Sequence, residues 1–122
     1  MPHIVVYNLL PSEIRDKLQL GSIERAITKE IISVKELKLK TEDISYTFPE
    51  DPSVTPDECP IVVIVDLLFE KPERTWEVRN FLAQSIAGAL LYEIKKIRGR
   101  LPSGMRVAVK RFDPAKDGFC ST

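Results

Sequence analysis

Few residues in this 122-residue chain could do chemistry: one histidine, His3, two cysteines, Cys59 and Cys120, and 18 basic against 18 acidic side chains. The cysteines fit neither a disulfide framework nor metal-ligand spacing, and His3 has no second imidazole beside it, so no metal or other cofactor is expected. The charges cancel overall, which removes any global attraction to nucleic acid or to a membrane surface. Their distribution is less even. Positions 41–60 hold Glu42, Asp43, Glu50, Asp51, Asp57 and Glu58 with no Lys or Arg. Positions 95–111 hold Lys95, Lys96, Arg98, Arg100, Arg106, Lys110 and Arg111 with no acid. Each run reads first as a solvated face, and the basic one is otherwise a place to receive an anion. The remaining feature open to chemistry is the proline directly after Met1.

The elements that would position these groups show a duplication. The opening MPHIVVYNLL returns nearly half the chain later as CPIVVIVDLL. Both phrases are β-branched runs of strand length, apolar enough to be buried on both faces as parallel strands are. A helical pattern follows each. Ile23, Ala26, Ile27, Ile31 and Val34 mark one face in the first half, with Ser22 as the N-cap and residues 12–20 adding a preliminary turn. In the second half Pro72 and Glu73 suit a first turn, and Val78, Phe81, Leu82, Ile86, Ala89, Leu90 and Ile94 form an apolar stripe in which Gly88 suggests close packing. A further strand closes each half, over Ile44–Phe48 and Met105–Phe112, with linkers near 49–59 and 98–104.

The expected fold is therefore α/β (α+β): one domain over residues 1–122, built from β-α-β units at about 2–48 and 60–112. Right-handed crossovers would make the strands of each unit parallel and give a four-stranded sheet with both helices on one face. The other sheet face would then be bare, and with no spare helix a second copy of the chain is the economical cover. The longest apolar runs, such as IVVIV, are strand-length, so no signal peptide or membrane-spanning segment is expected, and a reducing cytoplasm is the default location.

Two families share this element order. IVVYNLL resembles the first RNA-contacting strand of an RNA-recognition domain, but the third strand, IVVIVDLLF, places Asp66 where base-stacking aromatics are needed and has no aromatic before Phe69. No nucleic-acid partner is expected. The Met-Pro start running straight into a strand, on a duplicated β-α-β unit, resembles the tautomerase superfamily. The length resembles macrophage migration inhibitory factor and its relatives, and MPH resembles the start of 5-carboxymethyl-2-hydroxymuconate isomerase. KPERTWEVRNFLAQSIAGALL looks like the family's second helix with its approach. VAVKRFDPAKDGF looks like its last strand and the short β-segment after it. Small bacterial tautomerase-like proteins without an assigned reaction are similar too.

That resemblance implies a homotrimer whose three sheets line a central barrel. It also implies cofactor-independent keto–enol interconversion of a small anionic 2-oxo acid. Pro2 would be the general base. Removal of Met1 frees a secondary amine, and an apolar pocket lowers its pKa because burial disfavours the cation. Carried across position by position, Lys38 falls near a substrate-binding lysine, with Lys40 not separable from it. Phe69 matches an apolar pocket position. Lys110 matches a polar one that faces a neighbouring subunit, where an amide would be expected; the tyrosine expected two residues earlier is Ala108. Arg74 and Arg111 are alternative carboxylate anchors by charge. A tautomerase-fold protein without chemistry, acting in binding or assembly, is the competing expectation.

Overall fold

Four strands make one mixed sheet among the described residues: β1 (His3–Tyr7), β2 (Ser45–Thr47), β3 (Ile61–Phe69) and β4 (Met105–Phe112), in the order β2-β1-β3-β4. The computed structural model describes residues 2–9, 17–49, 60–69, 71–99 and 104–113. β1 pairs in parallel with β2, and β3 in parallel with β4. The two units meet through an antiparallel β1–β3 ladder, in which Ile4 faces Val65 and Val6 faces Val63. The repeated phrases thus lie side by side and run in opposite directions. Helices α1 (Lys17–Ser33) and α2 (Trp76–Arg98) supply the two crossovers.

Alternation along the strands decides which side the helices cover. Ile4 and Val6 of β1 and Ile61, Val63 and Val65 of β3 are buried. They pack with Ile23, Ile27 and Ile31 of α1 and with Leu82, Ile86, Leu90 and Ile94 of α2 in one core. Burial of each such side chain contributes about 1.5–3 kcal/mol relative to exposure. β3 breaks its alternation once. Val65 pairs with Val109, but Leu68 pairs with Arg111, so β3 carries one extra residue between these points. This bulge turns Leu68 into the core and leaves Phe69 paired with Phe112.

Several sequence expectations are corrected at the element ends. α1 already runs from Lys17, so Ser22 is no cap; its hydroxyl lies inside the helix and donates to Glu93 Oε2 at 3.0 Å. α2 begins at Trp76 after Thr75, whose Oγ1 accepts the Val78 N–H at 3.3 Å, so Pro72 and Glu73 precede the helix. It ends on Gly99, whose φ of 74° is the left-handed geometry that a side chain would oppose, with its N–H bonded to Lys95 O. Phe81 leaves the apolar stripe and is 59% exposed. Gly88 does not mark a close approach, since a Cβ added there would meet nothing within 4 Å. The second strand is shorter than 44–48, at Ser45–Thr47.

The uncovered sheet face is less uniformly apolar than the strand sequences suggest. Val5, Val62, Ile64 and Ala108 form its centre, but His3 sits beside them. The two His3 ring nitrogens bond Ser45 Oγ at 2.6 Å and Thr47 Oγ1 at 2.7 Å. Arg106 and Lys110 alternate with Ala108 on the β4 side and are exposed.

Candidate functional site

The connection from β3 to α2 builds the site. Phe69 ends β3, and the Arg74 N–H then bonds Lys71 O at 2.9 Å, closing a tight turn over Lys71–Arg74. Pro72 stands at its second position, where a fixed φ favours the turn. A turn of this kind brings its first and last residues together, and here both are cations. Thr75 caps the helix next, and Arg79 lies one turn further on, its N–H on Thr75 O at 3.0 Å.

These residues line a cleft of about 490 Å³ that contains Lys71, Arg74, Arg79 and, from β4, Arg111, together with Thr75 and Trp76. No acidic residue lines it among the described residues. The N-terminus of α2 adds the positive end of the helix dipole, with Glu77 the only acid in that first turn. Neither Lys71 nor Arg79 forms an ion pair with a described residue. The arrangement can therefore hold an anion by charge and by N–H donors at once.

Arg74 is the buried member, at 6% exposure. Its Nη1 donates to Phe69 O and its Nη2 to Leu37 O, both at 2.8 Å, while its Nε is buried without a partner. Burial lowers its pKa from the usual arginine value, and the nearby Glu73 carboxylate partly offsets that. An arginine in this setting still keeps its charge.

Pro2 is buried, and its carbonyl accepts the Ser45 N–H at 3.3 Å. Because His3 pairs with Asp66, Pro2 lies at the end of the sheet where β3 finishes and the cationic turn begins. The structure thus brings Pro2, Phe69, Arg74 and Arg111 to one end of the sheet. Phe69 packs its ring on Phe112 at 5.5 Å between centroids. Lys38 occupies a left-handed turn (φ 54°) after the short 3-10 turn Lys35–Leu37, and its side chain is 74% exposed, with Nζ 3.9 Å from Glu73 Oε1. It does not line the cleft. Lys40 is exposed, and the Asp43 carboxylate accepts its backbone N–H. Lys110 lies on the uncovered sheet face, away from Arg111, which shares the helix side with Val109.

Sequence reasoning missed Lys71 and Arg79. The signal was present in KPERTWEVR: a proline at the second turn position, with cations at the turn's ends and one helical turn past the cap. Cys59 and Cys120 fall outside the described residues. Among the described residues no cluster of His, Cys, Asp and Glu could hold a metal, and no helix is long and apolar enough to cross a membrane.

No protein-family model and no curated protein matches this sequence. Solved structures do. A fused 4-OT determined as an asymmetric trimer superposes with a TM-score of 0.64 at 18% identity, over 98% of this chain and 94% of the other. FG41 malonate semialdehyde decarboxylase inhibited by 3-bromopropiolate gives 0.55 at 20% identity, over 99% and 91%. A 5-carboxymethyl-2-hydroxymuconate delta-isomerase gives 0.63 at 11% identity, over 100% and 88%. All three are tautomerase-superfamily structures, and the chain has their α+β fold.

Proposed function

We propose that this protein is a cofactor-independent tautomerase or isomerase of a small 2-oxo acid, assembled as a homotrimer, with Pro2 as its general base. One observation carries the reading: Pro2 and the cleft of Lys71, Arg74, Arg79 and Arg111, lined by no acid among the described residues, share one end of the sheet. The fold neighbours add support, since they include an isomerase, a decarboxylase and trimeric 4-OT.

The chemistry follows from the groups present. Once Met1 is removed, Pro2 carries a secondary amine on a buried residue, and burial favours its neutral form. The cleft cations hold the substrate carboxylate and leave the neighbouring enol within reach of that amine. The amine takes the enol O–H proton, and the carbonyl re-forms as the adjacent carbon takes the proton back from the ammonium. Charge that develops on the oxygen between these steps is stabilised by the fixed cations, which need no reorganisation. Phe69 would supply apolar wall beside the cleft, and Lys110 would enter the site from a neighbouring subunit. Lys38 or Lys40 would be a more peripheral anchor.

Intact mass of the protein from its native cell, followed by an assay of enol phenylpyruvate, tests this. The expected result is a mass lacking Met1, and a ketonisation rate that falls about 100-fold or more in Pro2→Ala, the size of effect a positioned base supplies. Met1 retained throughout, or equal rates in the two proteins, would leave a tautomerase-fold protein that binds or assembles without catalysing.

A further inference from the structure

The two arginines nearest the N-terminus of α2 are held in different ways. Arg74 gives one N–H of each terminal nitrogen to a main-chain carbonyl, Phe69 O at the end of β3 and Leu37 O in the 3-10 turn after α1. Its Nε is closed to solvent. A guanidinium has five N–H donors; two of Arg74's are bound to these carbonyls at 2.8 Å, and at 6% exposure the side chain offers little of the remainder to an anion resting in the cleft. Arg79 is the opposite case. It lines the same cleft, is only half-buried, and its Nη1 donates to Arg74 O at 2.8 Å. That single bond fixes the Arg79 side chain and leaves most of its donors uncommitted.

We infer that Arg79 is the arginine that meets the ligand carboxylate, and that Arg74 is a positioning residue acting through it. This rests on the reading of the cleft as an anion site. Arg74 fastens the ends of two connections to each other, and its own carbonyl then orients Arg79. The hydrogen bonds run in one sequence: from Arg74 to the two carbonyls, and from Arg79 to Arg74. Displacing Arg74 moves the carbonyl on which Arg79 rests, so its loss is felt at the ligand without a contact to it. Glu73, whose Oε1 lies 3.9 Å from Lys38 Nζ, is not among the residues that line the cleft.

Pyruvate, a 2-oxo acid with a single carboxylate, is a suitable probe for the whole chain. Nitrogen NMR of the arginine side chains during a pyruvate titration should shift the Arg79 guanidinium signals and leave those of Arg74 in place. By calorimetry, Arg79→Gln should weaken pyruvate binding roughly 10- to 100-fold, the loss expected for a charged hydrogen bond. Arg74→Lys should weaken it too, but Arg74→Lys combined with Arg79→Gln should bind no worse than Arg79→Gln alone. Arg74 signals that move with pyruvate, or two effects that multiply, would overturn the assignment while leaving the anion site intact. Wild-type protein that does not bind pyruvate would remove both. If Arg74→Lys fails to fold, the wild-type titration decides alone. The Pro2→Ala assay is independent of every one of these outcomes.

Discussion

A half-buried tyrosine shows how a single side chain can report on the packing of the first β-α-β unit. Tyr46 of β2 shares a 2.6 Å hydrogen bond with Thr28 Oγ1 and donates to Glu24 O at 3.2 Å, joining the edge strand to α1. Burial pushes its pKa from 10.0 up to about 12; the Thr28 bond works against this and the Glu24 charge adds to it. A folded-state pKa above the unfolded one means the native state holds the proton more tightly. The stabilising contribution is therefore complete below pH 10 and lost as pH rises from about 10 to about 12. Melting temperatures measured across that window should fall more steeply for wild type than for Tyr46→Phe, which has no proton to lose. Parallel curves would show that Tyr46 does not govern the alkaline limb. Residue-scale legibility was uneven for the same kind of reason. Pro2, Arg74 and Arg111 could be singled out as candidates because type and position alone suggest a base or an anion anchor. Arg74's commitment to two carbonyls was not, because main-chain partners contributed by Leu37 and Phe69 leave no mark in a sequence.

At the scale of elements the periodic signals were dependable and the boundaries were not. The apolar faces of α1 and α2 and the extent of β4 follow from repeats of period 3.6 and 2, each reinforced over several turns or residues. Single-residue signals depend on register instead. Ser22 had the right chemistry for a cap but stood inside a helix that begins earlier, and the extra residue in β3 reversed the alternation that would have put Phe69 on the helix side. Gly88 is the most instructive case. It is exposed in the middle of α2 and leaves open space where a Cβ would be, so the monomer gains nothing from it. Gly88→Ala should stabilise the protein by about 0.5–1 kcal/mol, because glycine loses more backbone freedom on entering a helix. Ile86→Ala, two residues earlier but fully buried, should cost about 2–5 kcal/mol through lost burial and a cavity. Urea melts of the two variants check both signs. Destabilisation by Gly88→Ala would mean that something packs on that face of α2.

For the whole molecule the question of physics is what becomes of the uncovered sheet face and its long edge. Val5, Val62 and Ile64 are only partly buried within one chain, and among the described residues β4 is an eight-residue edge strand with no proline to blunt it. Monomeric proteins usually protect such an edge with charge, shortening or a cover, because its free N–H and C=O groups pair readily with another chain. Here the charges of Arg106 and Lys110 point from the sheet face, which discourages indiscriminate stacking while leaving the apolar centre available. A closed ring of copies satisfies both features, since each sheet edge finds a neighbour and the polar rim of His3, Ser45 and Thr47 can stay hydrated around the centre. The proposed trimer should scatter light as three times the 13.9 kDa of one chain, without dependence on dilution through the micromolar range. Ile64→Lys places a cation in the middle of that face, where burial without a partner is costly. It should shift the mass to a single chain while the helical circular dichroism persists, because Ile64 lies opposite the core. If phenylpyruvate turnover is found, it should fall in the same variant, since the proposed site would draw Lys110 from a neighbouring subunit. Wild-type protein at the mass of one chain would end the trimeric reading and leave Lys110 an ordinary surface residue.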